Sequence, residues 1–261
     1  MNISLKGKKA LVGGSSRGIG KAIAVQLAES GASVTLMARN GGKLKNIIES
    51  LPVNQGQQHQ YLLVDFTDFN QYQKTITAYF SNNTVDILIN NTQGPKAGGA
   101  LDVGINDYQD AFDVLFKSVV FTTQLALNHM IKNQWGRVIN VASVSVKEPL
   151  SYLVLSNSIR AATVTWAKTL ATDVAQYQIT VNSVLTGYFD TERINDLNAI
   201  KAQQLRISVD EVKINMENQV PMKRIGDPKE YGYLVAFLAS DQAAYITGTN
   251  IPIDGGLLKS I

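Results

Sequence analysis

The octapeptide Gly13-Gly14-Ser15-Ser16-Arg17-Gly18-Ile19-Gly20 follows the apolar run KALV and leads directly into an amphipathic, helix-length stretch. Glycines in that setting let the backbone turn tightly and approach a pyrophosphate, whose charge the N–H groups and dipole of the following helix then hold. Alone, such a glycine pattern is weak evidence. Its context strengthens it, because a second β-rich run ends about twenty residues on, where a ribose contact belongs. Gly14, Ser16, Arg17, Gly18, Ile19 and Gly20 are the expected dinucleotide contacts in this loop.

The second run also bears on which dinucleotide. An NAD site normally closes this strand with Asp or Glu on the ribose 2′-hydroxyl, whereas a 2′-phosphate needs a cation. Here the strand ends Met37-Ala38-Arg39-Asn40. Arg39 is a permanently charged planar donor suited to phosphate, and Arg17 is positioned to clamp from the other side. NADP(H) is the expected cofactor. If both arginines are merely solvated surface groups, the strand still lacks the acid that NAD requires.

Such a loop must be carried by a sheet, and the rest of the chain supplies one. Short β-rich runs at KALVGG, SVTLMAR, QYLLVDF, VDILINN, GRVINVAS and ITVNSVL alternate with helix-length amphipathic stretches. Strand, helix, strand in strict order predicts a parallel sheet covered on both faces. The 261 residues and 45% hydrophobic content suit a single α/β domain spanning 1–261. The polar segment 192–219 has helical character and no intervening strand, which fits a lid-like insertion over a site.

Composition excludes several classes. The net charge of +3 arises from 24 basic and 21 acidic residues scattered along the chain, without the basic cluster of a nucleic-acid footprint. Neither a signal-peptide core nor an apolar run of about 20 residues is present, so no membrane partner is implied and a cytoplasmic protein is expected. The absence of cysteine removes thiolate nucleophiles and cysteine-bound metals, and His59 and His129 form no metal constellation.

Gly14-xxx-Gly18-x-Gly20, Asp65, Asn90-Asn91, Ser143, Asn182, Gly187, Thr191 and Asp254-Gly255-Gly256 occur in an order that resembles the short-chain dehydrogenase/reductase family over essentially the whole chain. The resemblance implies a doubly wound Rossmann-type sheet of about seven strands, a nicotinamide cofactor, and a homo-oligomer, a tetramer or dimer. It also implies that Asp65 meets the adenine, Asn90 the adenine ribose side, and Thr191, with Gly187 nearby, the nicotinamide carboxamide.

The same resemblance exposes a gap. The family uses a Tyr as proton donor, a Lys four residues later, a Ser that polarises the substrate, and an Asn on an earlier helix. Thirteen residues beyond Ser143 stands Ser156, then Arg160 four further on, and Leu115 occupies the Asn position. A serine hydroxyl is a far weaker acid than a phenol and shorter, and Arg160 can bind ribose hydroxyls but cannot shuttle a proton. Tyr152 and Tyr188 are the tyrosines in a position to compensate, each with a packed or half-exposed aromatic as its alternative.

The expectation is therefore an atypical NADP(H)-dependent oxidoreductase acting on a carbonyl/alcohol pair. Ser143 would donate to the substrate oxygen, with Ser156 or Tyr188 as the second donor and Arg160 on the cofactor. The alternative is a non-catalytic NADP(H)-binding sensor on the same fold, favoured by Leu115, Ser156 and Arg160. A scaffold without cofactor would leave the glycine loop and Arg39 without purpose.

Overall fold

The computed structural model describes residues 3–260. Seven strands form one parallel sheet: β1 (Lys9–Val12), β2 (Ser33–Ala38), β3 (Gln60–Leu63), β4 (Ile87–Asn90), β5 (Gly136–Val141), β6 (Ile179–Thr186) and β7 (Asn250–Ile253). Their spatial order is β3-β2-β1-β4-β5-β6-β7. This is the doubly wound arrangement expected from the alternation of runs. β7, only four residues long with Pro252 among them, carries the weakest strand signal in the sequence and is added to the sheet by its pairing with β6.

The strands read as continuous apolar runs because helices cover both faces. Side chains alternate across the sheet, so Ala10 and Val12 join one core with Ile87 and Ile89, while Leu11 and Leu88 join the other. The first core is roofed by α1 (Gly18–Glu29), α2 (Gly41–Ser50) and α9 (Pro228–Ala239). On the opposite face pack α3 (Phe69–Asn82), α5 (Ser118–Asn133) and the long α6 (Val154–Val174). Asn182, on β6, donates to Ile246 O at 2.8 Å and accepts from Thr249 Oγ1 at 2.9 Å, which anchors the approach to β7.

Between β4 and α5 lies α4 (Ile105–Phe112), continued by a π-helical turn over Asp113–Lys117. Widened turns of this kind loosen the regular hydrogen-bond ladder and recur at functional sites. The segment 192–219 folds as two helices, α7 (Glu192–Leu205) and α8 (Val209–Gln219), packed on each other between β6 and α9. Thr191 caps α7 by accepting from Ile194 N, and Ser208 and Glu211 form a capping box on α8.

Candidate active site

All strands point their carboxyl ends the same way, and the order reverses at β1, whose neighbours are β2 and β4. Open parallel sheets bind ligands at such a switch point. A cavity of about 630 Å³ lies there, walled by the glycine loop, the ends of β2, β4, β5 and β6, and the start of α7.

The glycine loop is shaped by close approach. Gly14 and Gly18 have φ of +54° and +53°, which favours glycine, and a Cβ on Gly20 would fall 2.3 Å from the Gly14 carbonyl oxygen. Arg17, in extended conformation before α1, gives that helix no side-chain cap. The first N–H groups of α1 are thus free of side-chain acceptors at the cavity wall, the arrangement that receives a phosphate. Asn91, absent from the sequence-based contacts, braces the loop by donating to the carbonyls of Gly13 at 3.0 Å and Gly14 at 3.4 Å.

Arg39 leaves the end of β2 beside Asn40, which caps α2 by accepting from Lys43 N at 3.0 Å. That cap brings Lys43 to the same wall, so Arg17, Arg39 and Lys43 gather at one end of the cavity. The sequence reading passed over Lys43, although a cation three residues after an Asn N-cap was the available signal. Asp65 differs from expectation. Its carboxylate accepts from Thr67 N and Oγ1 and stands 3.9 Å from Arg39 Nη1, while its neighbours Val64 and Phe66, not Asp65, line the cavity.

The Asn90 side chain faces inward. Its amide donates to Thr123 Oγ1 at 3.0 Å and Asn140 Oδ1 at 2.9 Å, so the side chain is spent inside the sheet–helix layer. Asn91, one residue on, lines the cavity in its place because consecutive residues at a strand end face opposite ways.

Ser143, Ser156, Arg160, Gly187 and Thr191 do come together around the cavity. Ser143 follows β5 and its Oγ accepts from Ser145 N at 3.1 Å, which leaves the hydroxyl proton available to donate. Ser156 is largely buried on the first turn of α6, and one turn later Arg160 Nη1 donates to the Val141 carbonyl. Leu115 is buried in the π turn, and its backbone carbonyl accepts from Thr163 Oγ1 at 3.0 Å. Thr191 presses its methyl group toward Gly18, closing the β6 loop against the glycine loop.

Tyr188 follows Gly187 in the loop after β6. Its phenol donates to Gln219 Oε1 at 3.4 Å, and burial together with the neighbouring Tyr152 phenol pushes its pKa up to about 12. Tyr152 precedes α6, and burial raises its phenol as well.

Among the described residues no cluster of His, Asp and Glu suits a metal ion, and no helix is long and apolar enough to cross a membrane.

The family model described as Enoyl-(Acyl carrier protein) reductase matches residues 14–258. The chain is a short-chain dehydrogenase/reductase. Within that family it is 34% identical over 255 residues to the 3-oxoacyl-[acyl-carrier-protein] reductase FabG of Vibrio cholerae, covering 98% of this chain and 99% of that protein. Its fold is similar to that of L-sorbose reductase from Gluconobacter frateurii complexed with NADPH and L-sorbose, with a TM-score of 0.93, 27% identity and full coverage of both chains. It is also similar to YwfH, an NADPH-dependent reductase involved in bacilysin biosynthesis, with a TM-score of 0.91, 29% identity, and 97% and 99% coverage. In this short-chain dehydrogenase/reductase the glycine loop, Ser143, Ser156 and Arg160 line one cavity.

Proposed function

We propose that this protein is an NADP(H)-dependent oxidoreductase that interconverts a small-molecule carbonyl and its alcohol. One observation carries the reading: the glycine loop, the cationic end of the cavity and the Ser143–Ser156–Arg160 group line a single cavity. The residues fit the cofactor, because the uncapped α1 start suits the pyrophosphate and Arg17, Arg39 and Lys43 suit a 2′-phosphate. Relatives whose names describe NADPH-dependent reductases support the same choice.

When bound, NADPH supplies the hydride to the carbonyl carbon. The chain's own task is to orient the carbonyl and stabilise negative charge developing on its oxygen. Ser143 donates one hydrogen bond there, and Ser156 donates a second directly or through a water that brings the proton. Arg160 contributes fixed positive charge and a contact to ribose hydroxyls, and Gly187 and Thr191 face the nicotinamide end. The α7–α8 pair acts as the lid of one domain. We place the enzyme in the cytoplasm as a dimer or tetramer, assembled through the face where Phe112 and Phe116 stack and Trp166 meets Phe116 edge-on.

The test is NADPH oxidation against a broad carbonyl panel, with NADPH affinity measured on the same preparation. Ser143→Ala should lower turnover by about tenfold or more while NADPH affinity stays unchanged. Unchanged turnover removes Ser143 from the chemistry. A second reading, a non-catalytic NADP(H) sensor, is favoured by the burial of Leu115 and the commitment of Arg160 to a backbone carbonyl. Tight NADPH binding without turnover across the panel would support it.

A further inference from the structure

Arg193 stands in the first turn of α7, two residues after the cap Thr191. The positive end of a helix dipole disfavours a cation there. Among the described residues no carboxylate lies within ion-pair distance of it. Its one hydrogen bond runs from Nη2 to the Pro95 carbonyl at 3.1 Å. Pro95 follows β4 and Arg193 follows β6, and these two strands flank β5, which leads to Ser143. The side chain therefore ties the loop after β4 to the loop after β6 while lining the cavity.

We propose that Arg193 receives a carboxylate of the substrate, so that the physiological pair is an oxo acid and its hydroxy acid. This rests on the oxidoreductase reading above. A guanidinium carries five N–H donors in a planar fork matched to a carboxylate, and one of them is spent on Pro95. Among the cavity's other basic side chains, the proposed function assigns Arg17, Arg39 and Lys43 to the cofactor phosphate, and Arg160 donates to Val141; Glu192 is the acid in the wall. Arg193 is exposed at the cavity wall, and a carboxylate there would pair with a cation that no carboxylate of the described residues meets and that stands against the helix dipole.

The experiment compares the full-length wild type with Arg193→Gln, which keeps an N–H donor for Pro95 but loses the charge, and with Arg193→Lys. The substrates are 2-oxohexanoate, 4-oxohexanoate and the methyl ester of each. With NADPH, the wild type should favour at least one acid over its ester by about tenfold or more in kcat/KM, the scale of one charge-assisted hydrogen bond. Arg193→Gln should abolish that preference, Arg193→Lys should keep part of it, and NADPH affinity should not change. Equal rates for acid and ester in the wild type overturn the proposal, as does a preference that survives in Arg193→Gln. A fall in NADPH affinity with the acid-to-ester ratio unchanged also overturns it, by assigning Arg193 to the cofactor. If no compound turns over, the oxidoreductase reading is what fails. Calorimetric binding of the same acids and esters to the NADP⁺ complex then decides Arg193. An acid preference lost in Arg193→Gln supports it, and absent or equal binding overturns it.

Discussion

In the proposed function, single side chains divide between those that would hold the nucleotide and those that would face the reacting atoms. Arg39 belongs to the first group, and its 3.9 Å approach to Asp65 orients the guanidinium without neutralising it, because both groups are well exposed and such pairs are weak. Arg39→Ala should weaken NADPH binding by about tenfold or more, the worth of one charge-assisted contact, and leave NADH binding nearly unchanged. Fluorescence titration with both nucleotides measures this. Equal losses would take Arg39 off the phosphate. At the reacting end, Ser143 keeps a free donor because its lone pair, not its proton, is used by Ser145.

Helix ends show the same division at the next scale. α1 starts without a side-chain cap at the cavity, whereas α9, which packs along α1, is closed by a capping box between Asp227 and Glu230. Glu230 accepts from Arg224 and from Asp227 N, and these bonds hold its carboxyl down to about 2 from the ordinary 4.5. A depressed carboxylate pKa stabilises the fold above the unfolded-state value, and that stabilisation is lost as pH falls through the folded-state value. Glu230→Gln should therefore lower Tm at pH 7, with the gap to wild type constant above about pH 5 and closing between about pH 4.5 and 2. A gap independent of pH in thermal melts would remove the charge from the cap.

The whole molecule offers an aromatic face where α4, the π turn and α6 meet, with Phe112 and Phe116 centroids 5.1 Å apart and Trp166 6.2 Å from Phe116. Partly exposed clustered aromatics are characteristic of buried interface centres. Light scattering should find a dimer or tetramer, and Trp166→Glu should shift it toward monomer while far-ultraviolet circular dichroism is retained. A monomeric wild type would end the assembly proposal. The cavity is also a property of the whole molecule, since α7 contributes Arg193 and Ile194 to a wall whose other parts come from distant strands.

The alternation of apolar runs with amphipathic stretches is local, and so are the backbone demands of Gly14, Gly18 and Gly20; the parallel sheet, the nucleotide loop and the cationic end of β2 were legible from the sequence for that reason. Side-chain direction at strand and helix ends was not. Asn90 and Asn91 are the same residue type one position apart, and only the packing of α5 against the sheet decides that Asn90 is spent on Thr123 and Asn140 while Asn91 braces the loop. Tyr188 likewise sits in the expected loop, and only the tertiary fold brings its phenol to α8 and Tyr152. Arg193 carries no signal of its own within its polar segment, and only the placement of β4 and β6 on either side of β5 brings it to Pro95. Sequence determined the alternation of strands and helices and the backbone freedom of the glycine loop, because those depend on periodicity and steric freedom over a few residues. Tertiary structure alone decided which polar groups remain free for a ligand, because that depends on partners far apart in the chain.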